Sequence, residues 1–262
     1  MQPPRVLIIA GSDSGGGAGI QADIKTVTML GGFAMTAITA ITAQNTLGVD
    51  AVMPVPAEMV LKQMDAVIAD LGVDAVKIGM IGSAETAQAV ADRLERVSAP
   101  IVFDPVMVAT SGAALADADI IKAFERLIAL ATVVTPNVPE LSALTGLTIT
   151  TDSELEMAAR WLVRRTQGAV LAKGGHLPSD TIVDLLVADG GVQRWEGQRI
   201  ETRDTHGTGC TLASAIATEL GRDKSLPEAV SEARRFVRAA MLAAPGFGSG
   251  HGPMAHWAVE KR

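Results

Sequence analysis

The sequence predicts an α/β fold, with a mostly parallel sheet covered by helices on both faces. Three observations carry this. Short apolar runs such as residues 6–10 lack the alternation of a half-exposed strand and read as strands buried on both sides. They alternate with segments of about 10–15 residues whose apolar positions recur every third or fourth residue, as on one face of a helix. The runs end in polar or glycine-rich turns, the place where open α/β sheets bind ligands.

The elements follow in order. Residues 6–10 form the first strand, and Gly11-Ser-Asp-Ser-Gly-Gly-Gly-Ala-Gly19 reads as a glycine loop. A helix over 19–30 carries Ile20, Ile24 and Val27 on one face and ends at Gly31-Gly32. Residues 35–42 form a second strand and 48–56 a shorter extended piece. A helix over 57–71 places Val60, Met64, Val67 and Leu71 together, with the methionines as core packing. Residues 75–80 form a strand, and Ser83 caps the helix behind it. Strands at 100–103 and 132–135 flank a helix over 118–130. Gly146 closes a short helix, and Thr151 or Asp152 caps another that runs to 167. Residue 169 opens a strand to 172, and Asp189-Gly-Gly191 joins 181–187 to 192–195 as a hairpin. Ser225 and Pro227 start a last helix reaching 243, and the tail 245–253 is irregular. With no linker or shift in composition, residues 1–262 read as one domain.

Composition narrows the function. A 48% hydrophobic and 19% charged chain is not disordered, and a net charge of −7 argues against a nucleic-acid surface. Aromatics make up only 3%, too few for stacking platforms. No apolar run reaches the roughly 18 residues of a membrane helix. The run after the N-terminus is too short for a signal-peptide core, so a cytoplasmic protein with no membrane partner is expected. One cysteine excludes an internal disulfide, and His176, His206, His251 and His256 lack metal spacing and read as surface or supporting residues.

The chain is organised around Asp204-Thr-His-Gly-Thr-Gly-Cys210 and the helix it opens, in which Leu212, Ile216 and Leu220 share a face. Gly207 and Gly209 allow close backbone approach, and the first amides of a helix attract anions, phosphate above all. Gly221 stands where a left-handed stop is expected. At such a mouth the Cys210 thiol can fall to a pKa of roughly 3.5–7.5 and act as a base. The same stretch also fits a plain glycine turn with a buried, inert cysteine. The glycine loop at 11–19 is neither a P-loop nor a dinucleotide fingerprint, since the lysine and the spacing are missing.

Polar residues recur at the other strand ends: Gln44, Lys77, Asp104, Asn137, Glu140 and Lys173. Asp104 and Glu140 are hard oxygen ligands suited to magnesium, and Lys173 can lie along phosphates. Asp23 either faces the loop or is solvated. Together these point to phosphoryl transfer from a magnesium nucleotide, where the protein positions reactants and neutralises charge.

Six motifs in order, Ala10-Gly-Ser-Asp-Ser-Gly-Gly-Gly-Ala-Gly-Ile-Gln-Ala-Asp-Ile-Lys25, Lys77-Ile-Gly-Met80, Asp104-Pro-Val-Met107, Thr135-Pro-Asn-Val-Pro-Glu140, Lys173-Gly-Gly-His176 and Thr205-His-Gly-Thr-Gly-Cys-Thr211, resemble the hydroxymethylpyrimidine/phosphomethylpyrimidine kinases of the ribokinase-like superfamily. The resemblance implies a three-layer α/β/α fold, a homodimer and two successive ATP- and Mg2+-dependent phosphorylations. The first falls on 4-amino-5-hydroxymethyl-2-methylpyrimidine and the second on its monophosphate, for thiamine biosynthesis. It places Gln44 on the pyrimidine edge, Gly11, Ala18, Met80 and Val106 around the substrate, and Asp23 beside it. Asp104 and Glu140 fall in the magnesium region, and Asn137, Lys173 and Thr208 at the ATP phosphates. Gly207, Thr208, Gly209 and Cys210 form the anion hole, with Cys210 as base where many sugar kinases have aspartate. Thr110 stands where lysine is expected, which removes a cation from the phosphates. A pyridoxal kinase of the same superfamily is the nearest rival, and a non-catalytic nucleotide or vitamin-precursor sensor a more distant one.

Overall fold

The computed structural model describes residues 2–108, 112 and 115–259; Thr110 lies outside them. Nine strands form one sheet. They are β1 (Arg5–Asp13), β2 (Phe33–Gln44), β3 (Val49–Pro54), β4 (Ala75–Ile78), β5 (Ile101–Phe103), β6 (Val133–Val134), β7 (Ala169–Lys173), β8 (Thr181–Ala188) and β9 (Gly191–Gln198). Their order is β3-β2-β1-β4-β5-β6-β7-β8-β9. The pairs from β2 through β1, β4, β5 and β6 to β7 are parallel, and β3, β8 and β9 add antiparallel edges. The ribokinase-like expectation of a mostly parallel, helix-covered sheet holds, and the hairpin at 181–195 is β8–β9.

Helices cover both faces because each parallel crossover needs one. Eight lie among the described residues: α1 (Gly19–Met29), α2 (Ala57–Asp70), α3 (Ala84–Leu94), α4 (Ala118–Leu130), α5 (Val138–Thr145), α6 (Asp152–Val163), α7 (Thr208–Leu220) and α8 (Leu226–Leu242). One core, built on Leu7, Ile9, Phe103, Phe124 and Leu162, lies under α2, α3, α4 and α6. The opposite core, built on Val6, Ile8, Leu171, Ile216 and Val230, lies under α1, α7 and α8. Alternate residues of β1 thus serve the two cores, as the period of a strand buried on both sides requires.

Details of the elements depart from expectation. β1 does not stop at Gly11: it bulges between Ala10 and Ser12, and its ladder with β2 resumes at Ser12↔Ile41 and Asp13↔Thr42. α6 ends at Val163, four residues early, and its cap is Thr151 in a reciprocal box with Glu154. Gly221 is right-handed (φ −64°), so it is no left-handed stop; the positive φ falls on Asp223. What Gly221 provides is room, since a Cβ there would sit 3.1 Å from Pro4 and 3.4 Å from Ala75. Gly146 does take the left-handed cap.

The chain runs left from β1 to β2 and then crosses back to β4, so sheet order reverses between β1 and β4. A crevice at the carboxyl ends of the strands is the expected ligand position there. Thr151→Ala removes the side-chain half of an exposed cap. We expect the urea midpoint to fall by about 1 kcal/mol of stability with unchanged slope; an unmoved midpoint would show that the box contributes nothing.

Candidate active site

A cavity of about 990 Å³ opens at this edge. Sites for one small ligand span roughly 300–1,000 Å³, so there is room for a ring and a second group beside it. Gly11, Ala18, Gln44, Met80 and Val106 line one part of it. Asp104, Asn137, Glu140, Lys173 and the turn Gly207, Thr208, Gly209, Cys210 line another. Among the expected site residues only Asp23 is off the wall: it is fully buried beneath the cavity.

The floor is an ion pair. Lys77, from β4, and Asp23, from α1, are both inaccessible to solvent and lie 2.8 Å apart. Ser214 of α7 donates its hydroxyl to the other Asp23 oxygen at 2.7 Å. Burial alone would push the Lys77 ammonium down, but the negative charges of Asp23 and Asp104 outweigh it and keep Lys77 protonated. The sequence did carry a signal for this pair. Asp23 falls between Ile20 and Val27 on the apolar face of its helix, and Lys77 interrupts an apolar strand; a buried acid and a buried base need each other.

Above the floor stands the first turn of α7. Gly207 caps it with φ +81°, and a Cβ there would run into the Gly17 carbonyl. Thr208 N–H bonds Thr205 O and Thr211 N–H bonds Gly207 O, which leaves the amides of Gly209 and Cys210 without helical partners at the cavity wall. Free amides at the N-terminus of a helix can form an anion cradle. Cys210 is half-buried there. Its thiol does not have the lowered pKa expected at a helix N-terminus. Loss of water is the largest effect and pushes it up to about 11; Asp23 and Asp104 add to this, while Lys77 and the Gly19 N–H oppose it.

Asp104, just past β5, is buried and takes the Thr135 hydroxyl and the Lys173 ammonium on one oxygen, each at 3.0 Å. A Cβ on Gly209 would stand 3.2 Å from its other oxygen, so that oxygen faces the cradle. Asn137 and Glu140 cap α5 reciprocally: Asn137 N–H donates to Glu140 Oε2 at 2.7 Å, and Glu140 N–H to Asn137 Oδ1 at 2.9 Å. Among the described residues Glu140 Oε1 has no hydrogen-bond partner. Burial pushes its carboxyl up to about 7, against the pull of Lys173, and the Asp104 charge adds to the rise. Lys173 is held protonated by Asp104 and Glu140 despite its own burial. Among the described residues no group of three or more His, Cys, Asp or Glu could hold a metal ion alone. Two carboxylates with spare oxygens do fit magnesium that brings phosphates and waters with it.

His206 and His256 are buried, not on the surface; His176 and His251 are exposed. His206 Nε2 lies 2.9 Å from Asp13, whose carboxylate also takes the N–H groups of Gly15, Gly17 and Ala18. Burial opposes ionisation of Asp13, but these donors prevail and hold its pKa below the usual value. His256 Nε2 meets the Thr211 hydroxyl at 2.8 Å and ties the end of the chain to α7. Neither histidine had metal spacing to mark it, and single residues separated by 193 and 45 positions from their partners leave no local pattern.

Lys77→Met strands the Asp23 carboxylate in an apolar floor. We expect about 3–5 kcal/mol of stability to be lost at pH 7, and adding Asp23→Asn to recover a large part. Equal urea midpoints for the single and double variants would show that charge compensation is not what holds the floor together.

Known proteins resemble this chain over nearly its whole length. A curated hydroxymethylpyrimidine/phosphomethylpyrimidine kinase from Rhizobium meliloti is 52% identical over 256 residues, 96% of both chains. A thiamine biosynthesis bifunctional protein from Geobacter sulfurreducens is 49% identical over 253 residues, 96% of this chain; this chain spans about half (52%) of that longer relative. The solved pyridoxal kinase of Staphylococcus aureus, in complex with AMP-PCP and pyridoxal, superposes with a TM-score of 0.89 at 33% identity, over 98% of this chain and 94% of that one. The family model described as phosphomethylpyrimidine kinase matches residues 13–255, and the chain belongs to that family of phosphotransferases.

Proposed function

We propose that the chain, acting as one kinase domain over residues 1–262, uses ATP and Mg2+ to phosphorylate 4-amino-5-hydroxymethyl-2-methylpyrimidine and then the monophosphate to the diphosphate, in the cytoplasm. The observation that supports this most is one cavity holding a polar amide, Gln44, on one side and an anion cradle with two protonated lysines behind or beside it on the other. Gln44 reads the ring edge, with Gly11 and Met80 packed together beneath it. The Gly209 and Cys210 amides hold the oxygens of the transferring group. Lys173, Asn137 and Thr208 contact the nucleotide phosphates. Magnesium, held by Asp104 and Glu140, supplies neutralisation of the phosphate charge.

Cys210 accepts the proton of the attacking hydroxyl. Because its thiol is neutral at neutral pH, it adds no negative charge beside Asp104 as phosphates enter. The consequence is kinetic: the base form grows as pH rises toward the thiol's value of about 11, so kcat should climb through the alkaline range. Cys210→Asp, ionised throughout, should flatten that climb, and Cys210→Ala should lower kcat by about 10²–10⁴. An alkaline limb left intact in Cys210→Asp would remove Cys210 from proton transfer.

The primary test is turnover of hydroxymethylpyrimidine and pyridoxal, offered separately with ATP and magnesium, with mono- and diphosphate products resolved by ion exchange. Diphosphate from the pyrimidine is the expected result. Turnover of pyridoxal alone would favour the second reading, a pyridoxal kinase, which the resemblance to the pyridoxal-bound Staphylococcus aureus fold supports. A homodimer is part of the proposal. The exposed Ile41 and Met53, cross-strand partners on the β2–β3 ribbon, offer it an apolar face, and sedimentation at micromolar protein should give twice the 27.1 kDa chain mass.

A further inference from the structure

The cavity contains a hydrogen-bond chain in which one arrangement of protons leaves no two donors and no two acceptors facing each other. Asp13 is the fixed end. Its Oδ1 accepts from Gly15 N–H at 2.8 Å, and its Oδ2 accepts from Gly17 and Ala18 N–H at 3.0 and 2.8 Å. A carboxylate carrying that many donors has no proton to give. His206 Nε2, 2.9 Å from Oδ2, is therefore the donor. The other fixed end is Thr42. Its hydroxyl has one proton, and the Ser12 carbonyl, which can only accept, takes it at 2.8 Å.

Gln44 sits between these ends. One end of its amide lies 3.4 Å from His206 Nε2 and the other 3.2 Å from Thr42 Oγ1. With the NH2 toward His206, two donors face each other there and two acceptors face each other at Thr42. A half-turn of the amide, which leaves its shape unchanged, resolves both contacts. Oε1 then shares the single Nε2–H of His206 with Asp13, as the longer arm of a bifurcated bond, and Nε2 donates to Thr42.

We propose that Asp13, His206 and Thr42 are positioning residues that lock the Gln44 amide in this one orientation, and so decide which donor–acceptor pattern the cavity accepts on a ring. The inference rests on the kinase reading above. One Nε2–H and one Oε1 lone pair remain for the ligand. A planar amide used this way pairs bidentately with a ring that presents an acceptor nitrogen next to an exocyclic amino group, as amides do with adenine. The ring nitrogen lies on the Thr42 side and the amino group on the His206 side. A 4-oxo pyrimidine, with N3–H beside a carbonyl, carries the reverse pattern and is refused. Because His206 directly precedes Gly207, the group that orients the ring reader is joined by one peptide bond to the anion cradle. A Cβ on Gly17 would run into the His206 ring, so the glycine loop packs it in place.

The test compares kcat/KM for 4-amino-5-hydroxymethyl-2-methylpyrimidine with that for its 4-oxo analogue. The unaltered protein should prefer the amino ring by about a hundredfold or more, as sites that hydrogen-bond a substrate group do. His206→Leu frees the amide. The preference should fall about tenfold, the worth of one hydrogen bond, with the loss in KM for the amino ring more than in kcat. His206→Gln, which returns a side-chain N–H, should recover much of it. Thr42→Val, an isosteric change that frees the other end, should also lower the preference and covers the case in which His206→Leu does not fold. An unchanged preference in His206→Leu and Thr42→Val, with the amino ring still turned over, would overturn the relay alone. No turnover of either ring by the unaltered protein would overturn the kinase reading and the relay with it.

Discussion

The Lys77–Asp23 pair is the constraint around which the site is arranged. Both side chains are fully removed from water, and a lone charge in either place would be expelled or neutralised. Each therefore depends on the other, and on the Ser214 hydroxyl that fills the second Asp23 oxygen. The three residues come from β4, α1 and α7, so the pair pins α7 against the centre of the sheet. It also leaves a positive charge beneath a cradle of backbone amides. The floor is thus both a packing requirement and an electrostatic one.

Close backbone approach does the rest. The glycine loop after β1 and the turn before α7 interlock because a Cβ on Gly207 would meet the Gly17 carbonyl, and one on Gly17 would meet His206. Two segments almost two hundred residues apart thus share one wall. At the other end of the cavity the α5 cap serves two purposes. Asn137 and Glu140 satisfy each other's backbone, yet each keeps polar atoms for a ligand. A cap and a phosphate or metal contact are often set against each other when a sequence is read; here the same side chains can do both.

Cys210 shows where local rules stop. A helix N-terminus favours a thiolate, and that argument is sound for an exposed end. Here loss of water, together with the carboxylates of Asp23 and Asp104, outweighs Lys77 and the Gly19 N–H. The sign of the shift depends on neighbours that no local reading supplies. Gly221 is a smaller case: its position after a helix suggested a left-handed turn, but the tight contacts with Pro4 and Ala75 explain the glycine without one.

The sequence by itself determined the layered α/β architecture, because apolar runs without alternation and helical periodicity are local signals of which faces are buried. It also pointed to the edge where the cavity lies, since glycines and polar residues at parallel strand ends must gather on one edge. Gln44, Asp104, Glu140, Lys173 and the 207–210 turn were all legible in that way. The tertiary structure alone decided which of these groups touch. It put Asp23 under the floor with Lys77, buried His206 against Asp13, and set the proton order that ends at Gln44. Those are pairings between residues about 50 to 190 positions apart, and their energies come from burial and mutual distance, which a linear pattern does not contain.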